Sequence, residues 1–292
     1  MRTKIKQIME HNITKLYAEY KNGKTNRRSF LKKLTLITGS SAAAVALLPA
    51  LEDTGSSIAL QDVNEPVSQF IKYPAPKMEI NAFLAHPRIG GKFPAVVVIH
   101  ENRGLQPHIQ DVTKRLAREG FLAMAPDALT PVGGTPENDQ ARATELIRNL
   151  DNDDTVNNMV AAVKYLKTHP LSTGKVGCTG FSWGGAMTGQ VAVHSPDLNA
   201  AVPYYGRQPA TEDVTKIEAP IMAHYAENDP GINAGIPAFE EELKKQNKDY
   251  QIFIYEGTSH AFNNDTNPER YHAEATKLAW NRTISFFKEK LR

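Results

Sequence analysis

From residue 68 to the end of the chain, short apolar runs alternate with longer amphipathic stretches. Ser68–Tyr73 and Glu79–Ala85 read as two short strands forming a hairpin. Pro94–His100 is apolar nearly throughout, and such a run reads as a strand buried on both faces of a parallel sheet. Ile109–Glu119 has helical spacing, with Gly120 as its stop. Phe121–Ala125 predicts another buried strand, and Pro136–Leu150 and Asp154–Thr168 predict two helices. The pattern continues as strand Lys175–Thr179, helix Trp183–His194, strands Ala200–Tyr205 and Ala219–Tyr225, helix Gly235–Gln246, strand Tyr250–Tyr255 and a closing helix, Pro268–Leu291. Strands separated by helices of this length imply right-handed crossovers and a mostly parallel sheet. The expected fold class is α/β, with helices on both faces of a central sheet. No internal repeat or Gly/Ser-rich linker interrupts it, so 60–292 reads as one domain, large enough for a substantial core.

The first 59 residues follow a different pattern. Residues 1–50 hold ten Lys/Arg against two Asp/Glu, whereas the remainder holds 24 against 30. The formal charge of +2 therefore hides a basic leader on a mildly acidic body, which argues against nucleic-acid binding. Asn26-Arg27-Arg28-Ser29-Phe30-Leu31-Lys32 precedes 18 uncharged residues, Leu34 to Leu51. This arrangement resembles a bacterial twin-arginine signal, with Arg27 and Arg28 engaging the export machinery and delivery to the periplasm or beyond. Gly39, Ser40 and Ser41 make the run less apolar than a stable membrane span requires. Leu48-Pro49-Ala50 and Ser57-Ile58-Ala59 both end in Ala and are the two candidate cleavage sites, should the leader be removed. A single cysteine excludes an intrachain disulfide framework and a Cys-rich metal site. The nine histidines include no H-E-x-x-H pair, so a metalloenzyme is disfavoured.

Gly180-Phe181-Ser182-Trp183-Gly184-Gly185 lies between a predicted strand and a predicted helix, the context of a nucleophile elbow. Glycines at 180 and 184 let strand and helix approach while the Ser182 hydroxyl projects above the sheet edge. A phosphate-binding turn is the competing reading, but neither dinucleotide nor P-loop spacing is present. Cys178, within the strand, reads as a small core residue. A serine nucleophile needs a base, and the base needs a carboxylate, in the chain order Ser, Asp or Glu, His. Of the four downstream histidines, His194 ends a helix, His224 lies inside an apolar strand and His272 is on the last helix. His260 lies in a loop just past a strand, where sites form in open α/β sheets. Asp229, after the preceding strand, is the favoured carboxylate, with Glu227 as the alternative. The loop after Pro94–His100 contains Glu101 and Asn102. Its expected contribution is the Asn102 N–H, paired with that of Trp183, as an oxyanion hole. Trp183 also suits an apolar wall.

His100-Glu101-Asn102-Arg103-Gly104, Ala125-Pro126-Asp127, the Ser182 turn, Glu227-Asn228-Asp229 and Ser259-His260-Ala261-Phe262 together resemble the dienelactone hydrolase (carboxymethylenebutenolidase) family over residues 68–292. The resemblance implies an α/β-hydrolase fold, no cofactor, and hydrolysis of a cyclic enol-lactone or related small ester. It also places Glu101 at the family's acid beside the nucleophile. Phe262 and Arg142 become candidate substrate contacts, Arg142 as a match for an anion-binding arginine. Two departures stand out: serine replaces the cysteine of the best-known members, and Asn263-Asn264-Asp265 lacks the arginine that holds a substrate carboxylate. A carboxylic ester hydrolase is the expected function, and an inactive scaffold keeping the fold is the alternative.

Overall fold

A computed structural model of the protein describes residues 13, 15–38 and 65–292. The chain forms two compact units, residues 1–67 with 87–91, and residues 68–86 with 92–292. In the first unit, residues 15–21 are helical and a second helix, α1, spans Arg27–Thr38. Asn26 caps α1 by accepting the Ser29 N–H at 2.8 Å, which leaves Arg27 and Arg28 in its first turn. The rings of Tyr20 and Phe30 stack at 4.7 Å. The apolar run beyond Thr38 and both candidate cleavage sites lie outside the described residues. Among the described residues no helix is long and apolar enough to cross a membrane.

The second unit has the α/β-hydrolase fold. Its strands are β1 (Val67–Pro74), β2 (Glu79–His86), β3 (Phe93–Ile99), β4 (Leu122–Pro126), β5 (Ser172–Phe181), β6 (Ala200–Tyr204), β7 (Ile221–Asn228) and β8 (Tyr250–Ser259). They form one eight-stranded sheet in the order β1-β2-β4-β3-β5-β6-β7-β8. The Ala75 N–H bonds the Met78 carbonyl at 2.9 Å and closes the β1–β2 turn. β2 runs antiparallel to β4, and the pairs from β4 through β8 are parallel.

The apolar β3 run is explained by burial on both faces. Ala95, Val97 and Ile99 join one core cluster, and Val96 and Val98 join another. The first packs under α3 (Gln140–Arg148), α4 (Asn152–Thr168), α5 (Trp183–His194) and, past the short α6 (Pro230–Asn233), α7 (Ile236–Lys245). The second packs under α2 (Pro107–Arg118) and α8 (Ala273–Lys290). Each fully buried aliphatic side chain contributes roughly 1.5–3 kcal/mol, so both faces, and not one, hold the central strands.

Local side-chain bonds shift several element ends. The helix expected from Pro136 starts at Gln140, because Asp139 accepts the Arg142 N–H at 2.8 Å and Asn138 takes a positive φ of 56°. The closing helix starts at Ala273 and not at Pro268. Asn264 accepts the Thr266 N–H and hydroxyl, and His272 accepts the Ala275 N–H as N-cap. β8 continues past Tyr255 to Ser259. β3 ends at Ile99, leaving His100 as the first loop residue.

Candidate active site

Ser182 follows β5 and precedes α5, with φ 55° and ψ −114°. Positive φ is rare for a residue with a Cβ and costs on the order of 1–3 kcal/mol. The surroundings hold it there. The Ser182 N–H bonds the Tyr204 carbonyl of β6 at 3.0 Å, and the Ser182 carbonyl accepts the Ala186 N–H at 3.1 Å. A Cβ on Gly180 would meet the Gly184 carbonyl, and one on Gly184 would meet the carbonyls of Ile99 and His100. The glycine spacing thus serves close backbone packing around the turn.

Ser182 Oγ lies 2.8 Å from Nε2 of His260, and Nδ1 of His260 lies 2.5 Å from Oδ2 of Asp229. The three side chains form one hydrogen-bonded chain. Sheet register brings the last two together: Asn228 pairs with Ser259 across parallel β7 and β8, so each strand's next residue leaves side by side. Asn233 holds the outgoing loop by donating from Nδ2 to the Ala226 and Glu227 carbonyls. The Asp229 side chain makes no cap bond to α6. Glu227, the alternative carboxylate, instead accepts the Gly257 N–H at 2.9 Å. His194 bonds the Gln190 carbonyl at an exposed helix end, and His224 is fully buried. Burial pushes the Cys178 thiol up to about 12, which suits a core residue and not a nucleophile.

A cleft of about 450 Å³ opens at Ser182, and Asn102, Thr144, Arg148, Asn152 and Trp183 share its lining. Arg142 is not part of that lining. It is exposed and pairs with Glu145 at 2.8 Å. Thr144, Ile147 and Arg148 line the cleft together, and their i, i+3, i+4 spacing puts them on one helix face. That phase was the readable signal for Arg148. Phe262, expected as a substrate contact, is fully buried and corrects that expectation. It packs against Tyr255 at 5.1 Å and Tyr205 at 5.5 Å, and Tyr205 sets its ring edge against His260 at 5.2 Å. Phe262 therefore supports the histidine loop from behind.

Glu101 bonds Asn264, whose Nδ2 donates to Oε2 at 3.0 Å. The segment without the expected arginine thus supplies an amide to the loop acid. Oε1 of Glu101 is buried without a protein partner, as is the Tyr205 hydroxyl. Burial, with the Glu101 carboxylate nearby, pushes the Tyr205 phenol well above its ordinary range. Asp127 also has a legible task. Its carboxylate accepts from the N–H groups of Leu129 and Thr135 and from the Thr135 hydroxyl, which itself accepts the Leu105 N–H. This ties the β4 loop to the Asn102 loop. Among the described residues no group of three His, Cys, Asp or Glu side chains is arranged to hold a metal ion.

A protein of Methylorubrum extorquens named “Putative carboxymethylenebutenolidase” is 31% identical over 273 residues, covering 89% of this chain and 93% of its own. An Escherichia coli protein of the same name is 30% identical over 257 residues, covering 82% of this chain and 94% of its own. The crystal structure of a “Putative Dienelactone Hydrolase” from Klebsiella pneumoniae superposes with a TM-score of 0.70 at 26% identity, covering 76% of this chain and 98% of that one. The dienelactone hydrolase family profile matches residues 80–291. The chain belongs to the dienelactone hydrolase family of hydrolases.

Proposed function

We propose that the protein is a serine-dependent carboxylic ester hydrolase acting on a small ester or lactone. The observation that carries this reading is the hydrogen-bonded chain from Ser182 through His260 to Asp229. Nε2 of His260 takes the Ser182 proton as Oγ attacks the carbonyl carbon. Asp229 holds Nδ1–H and stabilises the imidazolium that forms. The Asn102 and Trp183 N–H groups receive the oxyanion, each at a scale of about 2.7–4 kcal/mol. His260 returns its proton to the leaving alcohol oxygen, and an acyl-enzyme remains. Water, deprotonated by His260, attacks the acyl carbon, and His260 gives that proton to Ser182 Oγ as the acyl C–O bond breaks and the acid leaves. In a lactone the leaving oxygen stays tethered, so one open-chain hydroxy acid is released.

The family's best-known members use cysteine at the nucleophile position, and this chain has Ser182 there. Glu101, held by Asn264, is the loop acid beside that nucleophile in this reading. The cleft admits a polar substrate, since Thr144, Arg148 and Asn152 line it with Trp183. Residues 1–59 hold a twin-arginine signal and a short linker, and residues 60–292 are the hydrolase domain that the signal exports. The basic stretch holding Arg27 and Arg28, both exposed, ahead of the uncharged run Leu34–Leu51 supports the signal.

Turnover of p-nitrophenyl acetate and of a lactone panel by the purified protein and by Ser182→Ala tests the reading. Hydrolysis by the wild type and a loss of at least about 10³-fold in the variant are expected. A variant that keeps its activity rejects the nucleophile.

A further inference from the structure

His100 is fully buried at the start of the loop after β3. Its Nε2 lies 3.1 Å from the Ala128 N–H and must accept, which leaves the ring proton on Nδ1. Nδ1 therefore donates to the Glu101 carbonyl, 2.7 Å away. The same carbonyl accepts the Gly104 N–H at 3.3 Å, closing a turn whose central residues are Asn102 and Arg103. Gly104 holds φ 79° there, and a Cβ on it would run into Thr135. The imidazole also stacks on Trp183, with centroids 5.4 Å apart and planes 18° from parallel. One side chain thus fastens the turn carrying Asn102 and backs the first residue of α5.

We propose that His100 is a positioning residue that sets one of the two oxyanion donors, Asn102, through the Glu101 carbonyl, the other donor being Trp183. The inference rests on the reading of those two N–H groups as the oxyanion hole. With no solvent exposure, His100 touches no substrate. Burial lowers its pKa, so the ring stays neutral, and a second proton would face the Ala128 N–H.

Two substitutions separate its bonds. His100→Asn puts an amide nitrogen near the place of Nδ1 and keeps the donor to Glu101. His100→Gln reaches the place of Nε2 and keeps only the acceptor for Ala128. For both variants, wild type and Ser182→Ala, kcat and KM on p-nitrophenyl acetate are measured with the affinity of a trifluoromethyl ketone, which forms an oxyanion adduct on serine. His100→Gln is expected to lose about 10–100-fold in kcat, less than outright removal of a donor. It should lose ketone affinity by a similar factor, with KM within about twofold. His100→Asn should recover most of both. Equal losses in the two variants, or a His100→Gln protein with wild-type kcat and ketone affinity, overturn the proposal. If neither variant folds, nitrogen NMR of the wild-type imidazole decides. The proton on Nδ1 is expected, and a proton on Nε2 overturns the assignment. Turnover unchanged in Ser182→Ala instead rejects the serine mechanism itself and the oxyanion reading with it.

Discussion

Asp229 and His260 meet because their strands are paired one residue earlier, at Asn228 and Ser259. The carboxylate reaches Nδ1 of the imidazole, whereas Glu227, two residues before it, reaches the Gly257 N–H. The two acids, one at the end of β7 and one just past the strand, should therefore behave differently. Asp229→Asn is expected to lower kcat by about 10⁴-fold while leaving KM nearly unchanged. Glu227→Gln should keep kcat within about threefold, since an amide oxygen still accepts the Gly257 N–H. Steady-state kinetics on the two variants check this, and the reverse ranking would make Glu227 the partner.

The elbow should tolerate no added carbon at Gly180. A methyl there meets the backbone carbonyl of Gly184, which cannot rotate away as a side chain could. Gly180→Ala is expected to destabilise the fold by about 1–3 kcal/mol, through displacement of α5 against β5. Urea unfolding measures the change, and an unchanged midpoint would contradict the packing described.

Stability should fall on the acid side of neutrality, in part through His224. Its ring bonds the Tyr255 hydroxyl and Thr283, and burial, followed by the Arg282 guanidinium, pushes its pKa down to about 3. The unfolded chain takes up that proton near pH 6.5 and the folded protein does not until about pH 3. Stability from this group is thus complete above the unfolded value and declines as pH falls, by about 1.4 kcal/mol at pH 5.5. His224→Gln should lose less stability than wild type between pH 7.5 and 5.5. Parallel pH profiles would remove His224 as the cause.

Export should depend on the paired arginines. Arg27→Lys with Arg28→Lys keeps the charge and the helix but changes the motif. The doubly substituted protein is expected to remain in the bacterial cytoplasm, with the wild type exported in a form lacking its leader. Fractionation with intact mass reads both. Equal export of the two forms would contradict the twin-arginine reading.

The sheet and its crossovers were legible because β3, β4 and β6 are apolar on both faces, a pattern that surface helices do not share. Ser182, Asp229 and His260 were legible for a related reason. Each directly follows a strand end, and parallel strands deliver such residues to one rim. What stayed hidden depends on side-chain reach. Asn264 carries no sequence signal that it will bridge 163 residues to Glu101. Phe262 adjoins the histidine loop in sequence, yet its ring turns inward onto Tyr205. The start of α3 was displaced by a single Asp139 cap, a local bond that periodicity alone does not register.

Fluorophosphonate labelling followed by peptide mapping tests the central claim most directly. An activated serine attacks phosphorus, expels fluoride and gains the mass of the phosphonyl group. One label is expected, on Ser182 and on no other residue, abolished in Ser182→Ala and strongly slowed in a His260→Ala variant that remains folded. A folded wild-type protein that stays unlabelled, or a label that persists in Ser182→Ala, would contradict it.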